Sequence, residues 1–295
     1  MAPLKLGTRA SPLALAQTDQ VIAALAQAGI EAQAHTFSTR GDRDLSKPLH
    51  ELGDKGLFTQ ELEAALKSGD IDAAVHSAKD MSAIDDPELP IVASLKRDSR
   101  ADILISAGAS PLTELPQRAR IGTSSLRRAA QVQAVRPDLQ VVAVRGNVQT
   151  RLKKWQAGEV DALILAAAGL RRLGMMTDLP TQALDWDTAP SQGLIAIQAR
   201  PGQGPWAQIN HRDSFEALHI ERALVRGLGA HCRLPVSCHL GQGLLVRLSA
   251  WANDGSAKSL SGQLDPKAGL AQQIQEAEAL GQELKAQLPP SYWDA

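Results

Sequence analysis

Residues 69–80 read Gly-Asp-Ile-Asp-Ala-Ala-Val-His-Ser-Ala-Lys-Asp, and the first five positions recur at 158–162 as Gly-Glu-Val-Asp-Ala. After the second copy the chain continues with small apolar residues, Leu-Ala-Ala-Ala-Gly at 165–169, where the first copy has His-Ser-Ala-Lys-Asp. The same local structure is therefore compatible with apolar residues at these positions. Charge added at the end of a buried strand usually serves chemistry, so Lys79 and Asp80 are the first candidates for a functional site.

A second repeat indicates an internal duplication. The sequences Leu-Gly-Thr-Arg-Ala-Ser at 6–11 and Ile-Gly-Thr-Ser-Ser at 121–125 each lead from a short apolar strand into Gly-Thr. A serine then stands where a helix N-cap is favoured. The two repeats occur in the same order, which predicts two similar α/β lobes. Such lobes form a cleft between strand ends and helix N-termini, where open α/β sheets bind ligands.

The alternation of strand and helix patterns divides the chain into three parts. We predict an α/β fold with two lobes, residues 1–98 and 99–190, in which residues 194–211 return to complete the first lobe. Residues 213–295 change character and predict a smaller C-terminal α+β domain. The polar, glycine-containing stretch 39–57 indicates a mobile loop.

The composition excludes several classes of protein. Apolar residues make up 44% of the 295 residues, charged residues 21%, and the net charge is −1, so no overall field favours nucleic acid or a membrane surface. No apolar run approaches the ~20 residues that span a bilayer, and the N-terminal segment does not resemble a signal peptide. Two cysteines argue against a disulfide framework. We expect a cytoplasmic monomer that binds neither nucleic acid nor membrane.

The second lobe carries a local excess of positive charge. Residues 120–172 contain ten Arg and Lys against three Asp and Glu. Arg127 and Arg128 fall in the first turn of a helix, where cations oppose the helix dipole, so we interpret them as ligands of an anion. Other strand-to-helix junctions hold three more arginines, Arg145, Arg151 and Arg9. Many dispersed arginines without a phosphate loop predict a ligand with several carboxylates, although a solvated basic face stays the alternative for any one arginine.

Asp80 has a structural and a functional interpretation. A lone Asp after a strand often only caps a helix. Here Lys79 adjoins it and Ser77 lies close by, so charge and hydroxyl converge on the predicted cleft. A carboxylate in that place either stabilises a developing cation or transfers protons.

The two cysteines differ in their surroundings. Cys232 lies in a glycine-containing loop between His231 and Arg233, and neighbouring cations favour the nucleophilic thiolate over the usual role of a small buried hydrophobe. Cys238 lies among apolar residues and is interpreted as core. The spacing of cysteines and histidines does not match a zinc site, so we expect no metal.

These motifs resemble the porphobilinogen deaminase (hydroxymethylbilane synthase) family across nearly the whole chain. The matching segments are Gly-Thr-Arg-Ala-Ser-Pro-Leu-Ala at 7–14, Thr-Arg-Gly-Asp at 39–42, Lys-Gly-Leu-Phe-Thr-Gln-Glu-Leu-Glu at 55–63, Ala-Val-His-Ser-Ala-Lys-Asp at 74–80, Gly-Thr-Ser-Ser-Leu-Arg-Arg at 122–128, Arg-Gly-Asn-Val-Gln-Thr-Arg-Leu at 145–152, Ala-Gly-Leu-Arg-Arg-Leu-Gly at 168–174 and Glu-Arg-Ala-Leu at 221–224.

The resemblance implies a fold with two lobes like those of periplasmic binding proteins and a C-terminal domain. It implies a transferase of heme and tetrapyrrole biosynthesis that condenses four porphobilinogen molecules head to tail. Ammonia leaves at each condensation, and hydrolysis frees the linear tetrapyrrole. The implied cofactor is dipyrromethane, built from two substrate units and linked through a thioether to Cys232, and the implied catalytic residue is Asp80.

The resemblance also implies the binding residues. Cofactor-binding positions besides Cys232 are Lys79, Ser77, Thr123, Ser125, Arg127, Arg128 and Arg145. Substrate-binding positions are Arg9, Ser11, Lys55, Phe58, Arg151, Arg172 and Gln192. The sequence departs from the family pattern at Glu51, Met81-Ser82, Ser191, Gln198 and His231.

Two other functions account for part of the sequence. A non-catalytic two-lobed sensor of a carboxylated ligand accounts for the lobes and the arginines, but not for Lys79, Asp80 or the Cys232 loop. A degenerate paralogue that binds pyrroles without turnover would keep the cofactor and form no product.

Overall fold

The structure is a computed structural model that describes residues 2–38, 59–230, 234–252, 254–289 and 292. The chain forms two compact units. The first contains Met1–Asp98 and Gly193–Leu218, and the second contains Ser99–Gln192 and His219–Ala295. The further division of the second unit into a second lobe and a C-terminal domain stays a prediction. Within the described ranges, no helix has both the length and the apolar character needed to cross a membrane.

The strands and helices of the described residues follow one another along the chain. In order they are β1 (Leu4–Arg9), α1 (Pro12–Gln27), β2 (Ala32–Phe37), α2 (Gln60–Ser68), β3 (Ala73–Ser77), β4 (Ile91–Ser94), β5 (Asp102–Ser106), β6 (Arg120–Gly122), α3 (Leu126–Val135), β7 (Gln140–Val142), α4 (Val148–Gln156), β8 (Ala162–Ala166), α5 (Ala167–Arg172), β9 (Thr181–Leu184), β10 (Ile195–Ala199), α6 (Arg212–Leu228), β11 (Val236–Leu240), β12 (Leu245–Trp251), β13 (Ala257–Gln263) and α7 (Leu270–Ala286).

The two units contain five-stranded sheets of the same design. The sheet of the first unit has the order β2-β1-β3-β10-β4, and that of the second has the order β7-β6-β8-β5-β9. In each, the first three strands are parallel and the fourth is antiparallel to both of its neighbours. The internal duplication predicted from the sequence is therefore present in the structure, and the α/β fold class is confirmed.

The repeated residues have matching structural roles. The Asp72 carboxylate accepts a hydrogen bond from the backbone N–H of Lys5 at 2.7 Å, and the Asp161 carboxylate accepts one from Arg120 at 2.7 Å. In the strand order of each sheet, the bond ties the residue before the third strand (β3 or β8) to the second strand (β1 or β6). A glycine precedes both aspartates with φ in the left-handed region, +81° at residue 69 and +73° at residue 158, where a side chain is strained.

The core lies on both faces of these sheets. In β5, Ile103 and Ile105 pack into one apolar cluster and Leu104 into another on the opposite face. This burial of both faces explains why the central strands read as continuous apolar runs. Cys238 in β11 is 2% exposed, which confirms its interpretation as core.

The second unit also holds the antiparallel sheet β11-β12-β13. Helices α6 and α7 approach closely through two glycines, since a Cβ on Gly227 would lie 2.0 Å from the carbonyl oxygen of Glu278 and one on Gly281 would lie 2.3 Å from that of Leu224. This packing fixes the end of α6, which precedes the Cys232 segment in the chain.

Candidate functional site

A recess in the first unit collects polar side chains at the carboxyl ends of β1 and β3. These strands are parallel neighbours, so their last residues reach the same edge of the sheet, where α/β proteins bind ligands. Predicted site residues in its lining are Arg9, Ser11, Ser77 and Asp80. The structure therefore brings together residues to which the family resemblance gives catalytic (Asp80), cofactor-binding (Ser77) and substrate-binding (Arg9 and Ser11) roles.

The chain is held firmly beside the Asp80 carboxylate. A short 3-10 helix covers Ala78–Asp80, and the buried Ala78 donates its N–H to the carbonyl of Leu194 at 3.1 Å. Asp80 is exposed and Lys79 is half-buried. The residues between Asp80 and β4 form no helix, so the interpretation of Asp80 as a helix cap is wrong.

Ser11 and Ser77 are each held by hydrogen bonds within the first unit. Ser11 caps α1 by accepting from the N–H of Ala14 at 3.3 Å, as predicted. The Ser77 hydroxyl lies 2.8 Å from Nε2 and 3.2 Å from Oε1 of Gln17, which is 3% exposed. Gln17 was not among the predicted site residues. The sequence signal that could have identified it is the position of this glutamine on the buried face of α1, between Ala14 and Val21.

In the second unit, a buried carboxylate holds the arginine pair at the start of α3. Arg127 is 4% exposed and Arg128 is 6% exposed. Arg128 donates to Oδ1 of Asp102 from Nη2 at 2.6 Å and from Nε at 3.1 Å, and Nη2 of Arg127 lies 2.8 Å from Oδ2. The prediction that both guanidinium groups bind an external anion differs from this arrangement, because the anion they contact is Asp102. Their role as cofactor-binding residues stays a prediction.

Two further donors complete the hydrogen bonding of Asp102. Gln192 donates to Oδ1 at 2.9 Å, and the indole N–H of Trp186 donates to Oδ2 at 3.0 Å. Burial alone raises the pKa of Asp102, but the charges of Arg128 and Arg127, together with hydrogen bonds from Arg128 and Gln192, hold that pKa well below its usual range. Burial also lowers the pKa of Arg127, and the charge of Asp102 opposes this. Sequence reasoning missed Asp102, because it begins an otherwise apolar strand.

The donor set around α3 fits a ligand that carries carboxylates. Two arginines face one aspartate, which leaves one positive charge in excess. Nε of Arg127 is buried and finds no hydrogen-bond partner in the part of the chain that the structure describes. Beside the pair, Ser125 caps α3 and Thr123 accepts from the N–H of Ser125 at 3.2 Å. A buried N–H donor and excess positive charge both favour an anionic group.

The remaining predicted arginines lie elsewhere in the second unit. Arg145 precedes α4 and Arg151 lies in its first turn, where Nε of Arg151 donates to the carbonyl of Gly146 at 2.8 Å. Asn147 caps α4 by accepting from the N–H of Thr150 at 2.8 Å. Arg172 ends α5. Lys55, Phe58 and Cys232 lie outside the described residues, as do Glu51 and His231.

Comparison with known proteins supplies the family. Residues 4–207 match the family model described as "Porphobilinogen deaminase, dipyromethane cofactor binding domain". The chain belongs to the porphobilinogen deaminase family. A porphobilinogen deaminase from Sphingopyxis alaskensis is 43% identical over 308 residues, which cover 98% of this chain and 95% of that relative. One from Roseiflexus castenholzii is 43% identical over 242 residues, which cover 79% of this chain and 80% of that relative.

Membership of this family gives the reaction. The protein is a transferase with hydroxymethylbilane synthase activity, which condenses four porphobilinogen molecules head to tail with loss of ammonia and releases the linear tetrapyrrole by hydrolysis. Its cofactor is dipyrromethane. The reaction belongs to tetrapyrrole biosynthesis. The activity and the cofactor implied by the sequence are thus confirmed.

A likeness to solved structures is weaker. A periplasmic substrate-binding protein of an ABC transporter from Coxiella burnetii shares 18% identity and covers 73% of this chain and 92% of that chain, with a TM-score of 0.42. Values this low carry no argument about this chain.

Proposed function

We propose that Asp80 is the catalytic residue of this transferase and that its carboxylate stabilises the positive charge that develops on the substrate as ammonia leaves. A negative charge held in place before the reaction stabilises such charge without reorganisation. The anchored backbone at Ala78 and the exposure of Asp80 suit this role, because the carboxylate is reachable while its position is fixed.

One observation carries this proposal. The registers of the two sheets place Ser77 opposite Ile195 and place Ala166 opposite Asp102, so β3 and β8 correspond residue by residue. At the positions of Ser77, Lys79 and Asp80, the second unit has Ala166, Ala168 and Gly169. The duplicated fold does not need polar residues there. We infer that the first unit carries them for chemistry.

We further propose which side chains hold the cofactor and the substrate. Substrate and cofactor rings carry acetate and propionate groups, and arginine matches carboxylates through paired N–H donors. In the second unit, Arg127, Arg128 and Arg145 are assigned to the cofactor, with the hydroxyls of Thr123 and Ser125. Lys79 and Ser77 of the first unit are assigned to it as well. Substrate carboxylates are assigned to Arg9, Arg151 and Arg172, and other contacts with the substrate are assigned to Ser11, Lys55, Phe58 and Gln192.

We propose Cys232 as the attachment point of the cofactor. A thiolate is the nucleophile required to form a thioether, and Cys232 has cationic neighbours on both sides in the sequence. The buried position of Cys238 in β11 makes that cysteine a poor alternative. When bound, dipyrromethane supplies the acceptor to which the first substrate ring is joined. We also propose that the protein is a cytoplasmic monomer.

Two aspartates at opposite ends of the same strand provide a matched test of Asp80. Asp80→Asn preserves shape and removes the charge, so we expect kcat to fall by about 10²–10³ while the fold and the cofactor are retained. Asp72→Asn is the control, because the Asp72 carboxylate accepts a backbone hydrogen bond from Lys5 and its amide analogue still can. Turnover is followed by ammonia release and by product absorbance.

The outcomes separate the functions. Near-normal turnover by Asp80→Asn would reject the catalytic role. A wild-type protein that carries the cofactor and releases no ammonia from porphobilinogen would be the degenerate paralogue instead.

A further inference from the structure

Three buried charges in the second unit occupy positions that are apolar in the first. Counting from the N-caps Ser11 and Ser125, Arg127 and Arg128 correspond to Leu13 and Ala14 of α1. By strand register, Asp102 corresponds to Ile195. All three members of the cluster therefore lie where the duplicated fold accepts apolar side chains.

The two helices also share a buried glutamine at a matching position. The same counting matches Gln131 with Gln17, and both glutamines are buried, at 2% and 3% exposure. Gln17 orients Ser77, and Oε1 of Gln131 accepts from Nη1 of Arg127 at 2.6 Å. The buried glutamine is thus common to the two helices, whereas the three charges are found in the second unit alone.

A buried ion-pair cluster is a poor source of stability. The free energy lost when charges are removed from water offsets most of the free energy gained from their attraction. Well-packed apolar residues in the same place often give a fold of equal or higher stability. The first unit has apolar residues at the corresponding positions, so this fold forms without the three charges. The cluster in the second unit therefore calls for a reason other than stability.

We propose that Asp102 is a positioning residue, which orients the guanidinium groups of Arg127 and Arg128 so that the pair binds the carboxylates of the cofactor. The proposal rests on the cofactor-binding role assigned to these arginines above. Asp102 holds Arg128 through two N–H groups and Arg127 through one, while Gln192 and Trp186 fix the carboxylate itself. One buried N–H of Arg127 is left without a partner among the described residues.

The effect of Asp102→Asn on cofactor binding has opposite signs if Asp102 positions the arginines and if it acts only through its charge. An acid beside an anion site repels the anion, so if Asp102 acted only through its charge, Asp102→Asn would strengthen cofactor binding. If Asp102 positions the arginines, the same substitution weakens it. Asp102→Asn keeps the shape but turns one acceptor into an N–H donor that faces other donors.

The readouts are the fraction of purified chains that carry the two-pyrrole mass addition and the thermal midpoint. We expect Asp102→Asn to lower the cofactor-bearing fraction at least tenfold. The control is Asp161→Asn, which breaks an Arg–Asp pair of the same unit with 41% and 43% side-chain exposure, and we expect it to retain the cofactor fully.

A second set of variants separates positioning from folding. Arg127→Leu with Arg128→Ala should abolish the cofactor and leave Asp102 buried without its cations, with a lowered thermal midpoint. Adding Asp102→Ile reproduces the residues of the first unit, so it should restore a cooperative transition at a higher midpoint with the cofactor still absent. If Asp102→Asn does not fold, the triple variant still tests the inference, because cofactor on a folded chain without the two arginines would overturn it.

Two results would overturn the inference, namely full cofactor in a folded Asp102→Asn or cofactor in the folded triple variant. If the proposed attachment of the cofactor were wrong, the wild-type chain itself would lack the two-pyrrole mass addition, which distinguishes that outcome from the two above.

Discussion

Ser191 occupies a conformation that favours glycine, and replacing it with glycine should stabilise the protein. Its φ is +60°, its side chain is 2% exposed, and its hydroxyl has no hydrogen-bond partner among the described residues. The backbone is fixed by its neighbours, since the N–H of Ser191 donates to the buried carboxylate of Glu221 at 2.6 Å. Gln192, which follows, donates to Asp102. The chain therefore cannot relax out of the left-handed region without breaking these bonds.

The expected gain in the free energy of unfolding has three contributions. A left-handed conformation costs a residue with a Cβ about 1–2 kcal/mol. A buried hydroxyl without a partner costs about 1–3 kcal/mol. Glycine loses about 0.4–1 kcal/mol of this gain, because the unfolded chain becomes more flexible. We expect Ser191→Gly to raise the free energy of unfolding by about 1–2 kcal/mol, taking the lower part of each range.

Urea unfolding, followed by tryptophan fluorescence, measures this change. Ser191→Ala is the matched control, because it removes the hydroxyl but keeps the strained conformation. We expect glycine to be more stable than alanine by about 0.5–1 kcal/mol, the conformational cost less the entropy of the unfolded chain. A glycine variant no more stable than the alanine variant would refute the strain at Ser191.

Two other predictions concern the charged residues of the second unit. Because the pKa of Asp102 is lower in the folded state than its ordinary value of 3.8, the stability it contributes is complete above that value and declines as the pH falls below it. Asp102→Asn should lower the free energy of unfolding by about 3–5 kcal/mol at pH 7, because it leaves two buried arginines without their anion. Chemical denaturation should show the difference between the wild-type protein and the variant shrinking below about pH 4. A difference that stays constant with pH would contradict the lowered pKa of Asp102. Replacing Arg145 or Arg151 with Leu should weaken the binding of a cofactor or substrate carboxylate by about 1.5–3 kcal/mol. The distribution of enzyme–pyrrole complexes, separated by charge, should then shift. An unchanged distribution would show that both arginines belong to a solvated basic face and bind neither cofactor nor substrate.

Local rules predicted much of the fold because the signals are local. The strand–helix alternation, the repeat that contains Asp72 and Asp161, and the N-caps Ser11 and Ser125 all depend on contacts within a few residues of the chain or on the repeat itself. Strands β4, β5, β9 and β13 were not predicted. The first three are runs of only four or five residues, too short for periodicity to assign, and β13 (Ala-Lys-Ser-Leu-Ser-Gly-Gln) is polar.

The surroundings of the arginines could not be predicted, because their partner is distant in the sequence. Asp102 lies 26 positions before Arg128, at the start of a strand that otherwise reads as core. The dipole argument identified Arg127 and Arg128 as unusual, but it could not say that a protein carboxylate holds them. For Asp80 the repeat supplied the missing comparison, since the second copy shows which residues the fold needs without chemistry.

The most direct measurement of the cofactor assignment is the intact mass of the purified chain and of its two single-cysteine variants. We predict that the wild-type chain exceeds its sequence mass by two porphobilinogens less two ammonia molecules. Cys238→Ala should keep this addition, because Cys238 is a buried core residue, and Cys232→Ala should lose it. A wild-type chain without the addition in cells supplied with porphobilinogen, or an addition that survives in Cys232→Ala, would contradict the assignment.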